Sequence, residues 1–306
     1  MIRRGWVAGE WRNYEGARGI ASCTKSLTSL TMMKLFDLSD AGRTKKRIRI
    51  DDEAWRFLPD HWAAADPRRK KIRLRHLLTM TSGLQPYDGP YKDLDAYARV
   101  VLTQAVEAPP GTVWAYASAP IDLMSHIVEN VTARTQRDFF NDEIHAPIGV
   151  APIQWPDFKG HTGGSGGPGG GARYVTRELA RVGHLLLYGG RWGDRQVLSR
   201  KRVEMATRWA PWLARAKFRE QNFARYEPDA QNFYGYLFWT NRTGRALGEA
   251  VPRNVFYMSG YGRQACWVFP DLDMIVVRLG SNVSLNNRPE FYRELLKRVV
   301  EAVVKS

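Results

Sequence analysis

Four short runs in the last third of the chain set the architecture. FYGYLFWT (233–240), VFYMSGYG (255–262), QACWVFP (264–270) and MIVVRLG (274–280) are dense in β-branched and aromatic residues and are separated by turn signals, the pattern of strands. Helical spacing dominates before them. A helix opens at Ser22, with Leu27, Leu30 and Leu35 at helical intervals. Further helices are predicted over 75–84, stopped by Ser82-Gly83, over 93–107, and over 119–134, where Ile121, Met124, Ile127, Val128 and Val131 share one face. Another spans 175–188, ended by Gly189-Gly190, and a last one 288–304. Strands gathered at the end with helices in the middle predict an α+β fold: an antiparallel sheet flanked by helices, plus a mostly helical insert. The expected organisation is one unit over 1–306, with a sheet part formed by 1–40 and 173–306 and a helical and loop part over 41–172.

A chain of 306 residues with 44% hydrophobic content can bury a sizeable core. Its net charge of +15 is concentrated in two runs, Arg43, Lys45, Lys46, Arg47, Arg49 and Arg68, Arg69, Lys70, Lys71, Arg73, Arg75. The ordinary reading of such runs is a solvated basic face; the sharper one is an anionic partner. Neither run interleaves the aromatics of a base-stacking platform, which speaks against nucleic acid. Two cysteines, Cys23 and Cys266, make no disulfide framework, and six histidines without H-E-x-x-H or a zinc-spaced cysteine pair imply no metal. No cofactor is implied. No stretch approaches the roughly 18 apolar residues of a membrane span. The first residues, MIRRGWVAGEWRNYEG, have a basic start but no apolar signal-peptide core, so the chain as written reads as cytoplasmic.

The Gly-dense loop 160–172 contains G-x-S-x-G at 163–167 and G-x-G-x-x-G at 164–169. Both motifs need a preceding strand, and here Lys159-Gly160-His161-Thr162 precedes them; both are read as products of low complexity.

Ser22-Cys23-Thr24-Lys25 fits S-x-x-K. On a helix, positions i and i+3 face the same way, so a hydroxyl and an amine can meet. A serine hydroxyl needs a base within hydrogen-bond reach to become a nucleophile. An amine serves as that base when burial or a neighbouring cation favours its neutral form. A helix beginning near Ser22 would also turn its N-terminal amides and dipole toward a developing anion. Cys23, lacking an activating base, reads as a small core residue.

The context of this motif resembles a family: class C β-lactamases, serine DD-peptidases and their esterase and amide-hydrolase cousins. IASCTKSLTSL (20–30) is similar to that family's nucleophile helix, and IRLRHLLTMTSGL (72–84) to the segment between its first and second motifs. PGTVWAYASAPIDLMSHIVENVT (110–132) resembles the segment of the second motif, placing Tyr116-Ala117-Ser118 in it. RYVTRELARVGHLLLYGGRW (173–192) and FYMSGYGRQACWVFPDLDMIVVRL (256–279) resemble the later helix and the closing strands with the third motif. The segments follow the family's order along nearly the whole chain. The resemblance implies that Ser22 forms an acyl-enzyme, that Lys25 and Tyr116 share the proton handling, and that the backbone amides of Ser22 and Tyr261 form an oxyanion hole. It implies substrate contacts from Ser118, Ser259, Gly260, Arg263 and Trp114. Trp114, Trp239, Trp267 and Tyr261 are candidates for an apolar acyl pocket.

Three departures refine this expectation. The third motif ordinarily starts with Lys or His; here the triplet is Met258-Ser259-Gly260, which removes a partner for a substrate carboxylate. Arg263 either supplies a displaced charge or points to solvent. Ser118 stands where the second motif often has Asn. Both features lie nearer the 6-aminohexanoate-oligomer hydrolases and related esterases. The nucleophile lies only 22 residues from the start, so an N-terminal helix and one or two strands of the family's sheet are expected to be missing from the chain as written. A longer reading frame could then supply a leader and a periplasmic location. The leading expectation is a serine hydrolase acting on a small carboxylic ester or linear amide. The alternatives are a β-lactamase or DD-peptidase-like protein, and a catalytically silent basic binding protein of the same fold.

Overall fold

A computed structural model of the protein describes residues 1–11, 15–86, 100–155, 157–158, 161–162, 171–219, 229–280 and 289–304. Its centre is an antiparallel sheet of six strands: β1 (Ile2–Arg3), β2 (Trp6–Val7), β3 (Trp239–Thr240), β4 (Phe256–Gly260), β5 (Gln264–Phe269) and β6 (Met274–Arg278). The spatial order is β3-β4-β5-β6-β1-β2, so the N-terminal hairpin extends the sheet beyond β6. The registers Met258↔Cys266 and Cys266↔Val277 put alternate residues of neighbouring strands on one face.

Helices cover both faces. Helix α1 (Cys23–Asp40) lies against the β4 end of one face, where Gly260 meets the turn that starts it. Helix α3 (Thr176–Leu187) covers the same face so closely that a Cβ on Gly183 would stand 2.9 Å from both Cys266 Sγ and Ile275 Cγ2. Helix α4 (Pro289–Val304) covers the other face, where Trp267 and Tyr292 meet edge to face at 5.1 Å. Helices on both sides explain why every residue of β5 is buried rather than alternate ones.

Beyond α1 lies the mostly helical part, including α2 (Ala119–Thr132). Sandwiched between it and the sheet, α1 is buried nearly all round, including Thr24, Ser26, Thr28, Ser29 and Thr31. Four of those hydroxyls find partners: Thr31 Oγ1 donates to Leu27 O, Ser26 Oγ donates to Leu237 O, Thr28 Oγ1 accepts from Gln136 Nε2, and Thr24 Oγ1 accepts from Ala172 N.

Three expected elements differ. The helix of 75–84 ends at Leu78, because the chain turns left-handed at Met80 and sends its carbonyls elsewhere. Ala115 N donates to Met80 O, and Gly111 N to Thr81 O, which fixes the strand Val113–Trp114 just before Tyr116. Within 233–240 only Trp239–Thr240 is strand: Leu237 is left-handed and a tight turn joins Gly235 N to Phe238 O. Of the helix expected over 93–107, residues 100–103 are helical, 104–107 are not, and most of the rest lies outside the described residues. The two Gly-rich motif matches at 163–169 also lie outside them. Among the described residues, no helix is long and apolar enough to cross a membrane, and no group of His, Cys, Asp or Glu could hold a metal ion.

In the second basic run Arg69 and the half-buried Arg75 are built into the fold, while Arg68, Lys70, Lys71 and Arg73 are exposed. Arg69 is buried and donates to the carbonyls of Trp62 (2.7 Å), Leu102 (3.2 Å) and Gln104 (2.6 Å), with its guanidinium over the Trp62 ring. Arg75 pairs with Asp51, and Arg68 with Asp66. Replacing Arg69 by Met leaves three carbonyls without that donor and is expected to cost about 2–4 kcal/mol, read as a lower urea midpoint at unchanged slope. An unchanged midpoint would mean that those carbonyls are satisfied by water.

Candidate active site

The start of α1 is shaped by its neighbours. Ala21 is left-handed (φ 46°), a strained conformation for a residue with a Cβ, and it turns the chain abruptly into the helix at Ser22. The strand pair Arg18–Gly19 with Arg173–Tyr174 holds the approach, Ile20 N donates to Ala172 O, and Ala172 N donates to Thr24 Oγ1. Behind this pair, Tyr174 Oη lies 2.6 Å from His145 Nε2, and His145 Nδ1 lies 3.1 Å from Asn141 Oδ1. Asn141 Oδ1 also accepts from Ile153 N, so His145 Nδ1 carries the hydrogen and Tyr174 donates to Nε2. Desolvation lowers the His145 pKa to about 3 and raises that of Tyr174 well above the usual phenol range. Both are therefore neutral and serve as a support.

Lys25 is 2% exposed, yet its ammonium reaches two hydroxyls: Ser22 Oγ at 3.0 Å and Ser118 Oγ at 3.1 Å. The first contact follows from i, i+3 spacing on α1; the second joins residues 93 apart, because Ser118 stands at the start of α2. Tyr116 presents its ring to the same ammonium, 4.9 Å from Nζ to the centroid. That ring is stacked on Trp239 at 5.9 Å and meets Tyr234 edge to face at 6.2 Å. Trp114 is fully buried, 6.3 Å from Tyr116.

Opposite Ser22, β4 approaches with no room to spare. A Cβ on Gly260 would lie 2.3 Å from Ile20 O, 3.1 Å from Ser22 N and 3.2 Å from Cys23 N. Tyr261 follows and is 50% exposed. Met258, two residues before Gly260, is buried on the same face, and Ser259 alternates to the other side of the strand. Arg263 does not point to solvent: it is 3% exposed and lies over Phe291, 4.1 Å from the ring centre. Trp267 lies on the sheet face away from Ser22, against Tyr292, and does not join Trp114 and Trp239. Burial raises the Cys23 thiol well above its usual range and Cys266 to about 12, so neither supplies a thiolate.

The structure thus brings Ser22, Lys25, Tyr116, Ser118 and Gly260 together. Reasoning from sequence missed Ala21, Thr24 and the Tyr174–His145 support. Only Thr24 carried a readable signal, as a hydroxyl inside S-x-x-K; the others depend on contacts between distant segments.

Comparison with known proteins shows the family and the fold. The family described as Beta-lactamase matches residues 18–300. A methylbutanoyltransferase acting on monacolin J acid, from Aspergillus terreus, is 32% identical over 153 residues, which take in 44% of this chain and 37% of that enzyme. The chain therefore spans little more than a third of this curated relative. Two solved structures share the fold. One, described as a candidate beta-lactamase from Bacteroides dorei, has a TM-score of 0.74 at 19% identity, over 98% of this chain and 92% of that one. The other, described as a candidate 6-aminohexanoate-dimer hydrolase from Bacillus anthracis, has 0.72 at 16% identity, over 99% and 78%.

Proposed function

Because the chain belongs to the beta-lactamase family, we propose that it is a serine hydrolase that opens carboxylic esters or linear amides through an acyl-Ser22 intermediate. The observation that carries this reading is the buried Lys25 Nζ bridging the hydroxyls of Ser22 and Ser118 beneath the Tyr116 ring. Ser22 Oγ attacks the carbonyl carbon, and its proton passes to the Lys25–Tyr116 pair in the form that lacks one proton, as neutral amine with phenol or ammonium with phenolate. The carbonyl oxygen becomes an oxyanion that accepts from the amides of Ser22 and Tyr261. Collapse expels the alcohol or amine, which takes the proton. Water then attacks the acyl-serine by the same steps in reverse and releases the acid. A relative whose name describes acyl transfer fits this intermediate equally, with another acceptor in place of water.

The substrate class follows from what surrounds the site. A buried thioether at Met258 occupies the place where the third motif ordinarily supplies a cation, and the nearby Arg263 guanidinium is buried over Phe291. A substrate with a carboxylate beside its scissile bond would lose solvation there without a fixed partner. Neutral esters and amides carry no such cost.

The test is intact mass after exposure to p-nitrophenyl acetate and, separately, to benzylpenicillin. The ester is expected to leave an acetyl group on the peptide containing Ser22, and the penicillin to leave no adduct. A penicilloyl group on Ser22 would move the reading to a penicillin-binding or β-lactamase activity. No adduct from either would leave a silent member of the fold.

A further inference from the structure

We propose that Arg278 is a positioning residue for this chemistry, holding the turn that carries the Tyr261 amide in the geometry an oxyanion requires. The inference rests on the acyl-serine reading above. The turn, Tyr261–Arg263, joins β4 to β5 and contains two consecutive left-handed residues, Gly262 (φ 74°) and Arg263 (φ 64°). Glycine takes that conformation freely, but arginine does so only under constraint. The constraint comes from β6. Arg278 Nη1 donates to Gly262 O at 3.2 Å and to Arg263 O at 2.9 Å, and so binds both carbonyls of the strained pair. Gln264 adds a second clamp: its Nε2 donates to Gly262 O and Gly280 O, and its Oε1 accepts from Gly280 N.

The Tyr261 amide thus lies between two fixed points. On one side Gly260 abuts the nucleophile turn at Ile20 and Ser22. On the other, the carbonyls of Gly262 and Arg263 are tied to Arg278. Charge adds to position. The Arg278 and Arg263 guanidinium groups share the ring of Phe291, at 5.5 and 4.1 Å, so two cations stand behind one turn. Their combined field favours an anion at its amides. None of these residues touches the reacting atoms; they act through the backbone of Tyr261.

The test compares wild type with Arg278→Met and Arg278→Lys, using pre-steady-state acylation by p-nitrophenyl acetate and the affinity of a phenylboronic acid, whose tetrahedral adduct on Ser22 carries an oxyanion. Arg278→Met is expected to lower the acylation rate and the boronate affinity together by about 10- to 100-fold, with KM within about two-fold of wild type. Arg278→Lys, which keeps a cation and a donor, is expected to fall between them. A merely structural role would reduce the burst amplitude and Tm but leave the acylation rate and boronate affinity of the folded fraction unchanged. That result overturns the proposal. Should Arg278→Met not fold, the same two readouts in Arg278→Lys decide, and wild-type values for both overturn it. A wild-type chain that the ester does not acylate defeats the acyl-serine reading and this inference with it. A wild type that acylates beside an unimpaired Arg278→Met defeats only this inference.

Discussion

Ser22→Ala is expected to abolish the burst from an activated ester and to lower turnover by about 10⁴-fold or more, while the folded state survives. The two halves of this expectation have separate causes. In the proposed reaction the hydroxyl supplies the bond-forming oxygen, and Cys23 does not replace it: its thiol is buried and held in its protonated form. The same hydroxyl contributes little to the fold, since it makes no capping bond at the start of α1 although it stands at the cap position. Its loss leaves Lys25 bonded to Ser118. Thermal unfolding of the variant is therefore expected to stay within a few degrees of wild type. Wild-type turnover from the alanine variant would end the proposal that Ser22 is the nucleophile.

Gly260→Ala is expected to damage activity and stability together. The backbone there is extended (φ −139°), so the conformation suits any residue and strain is not the cause. The cause is the carbonyl of Ile20, 2.3 Å from where the methyl must go, with the amides of Ser22 and Cys23 immediately behind it. Either β4 or the nucleophile turn has to move. A shift of about 1 Å between the Ser22 and Tyr261 amides is enough to cost about 10²-fold in acylation. Overpacking of this kind destabilises by about 1–3 kcal/mol. Burst kinetics and urea unfolding measure the two effects. An alanine variant with wild-type values for both would show that β4 and the start of α1 are not in contact in solution.

Much of this arrangement was legible in the sequence because its signals are local. The i, i+3 spacing of Ser22 and Lys25 and the alternating aromatic strands need only a short window. The resemblance carried by the order of segments then implied that Tyr116 and Ser118 stand near them. What was not legible depends on partners far along the chain. Arg69 read as one of a run of surface cations, because nothing beside it announces the carbonyls of Trp62, Leu102 and Gln104. The helix through 75–84 was overextended because the backbone bonds that stop it go to residues 111 and 115. Trp267 was grouped with Trp114 and Trp239 on composition, whereas the face of the strand on which it stands depends on register. Arg278 looked like the end of a strand, and its attachment to the Gly262–Arg263 turn emerges only when β5 and β6 are paired.

The burial of α1 between the sheet and the helical part has one more consequence. An enzyme that keeps its reactive groups on surface loops can lose function by local fraying long before it melts. Here Lys25 belongs to the innermost helix, which opens only when the layers on both sides part. Displacement of Lys25 and global collapse are therefore expected to coincide, whereas the half-exposed Tyr261 turn is free to loosen earlier.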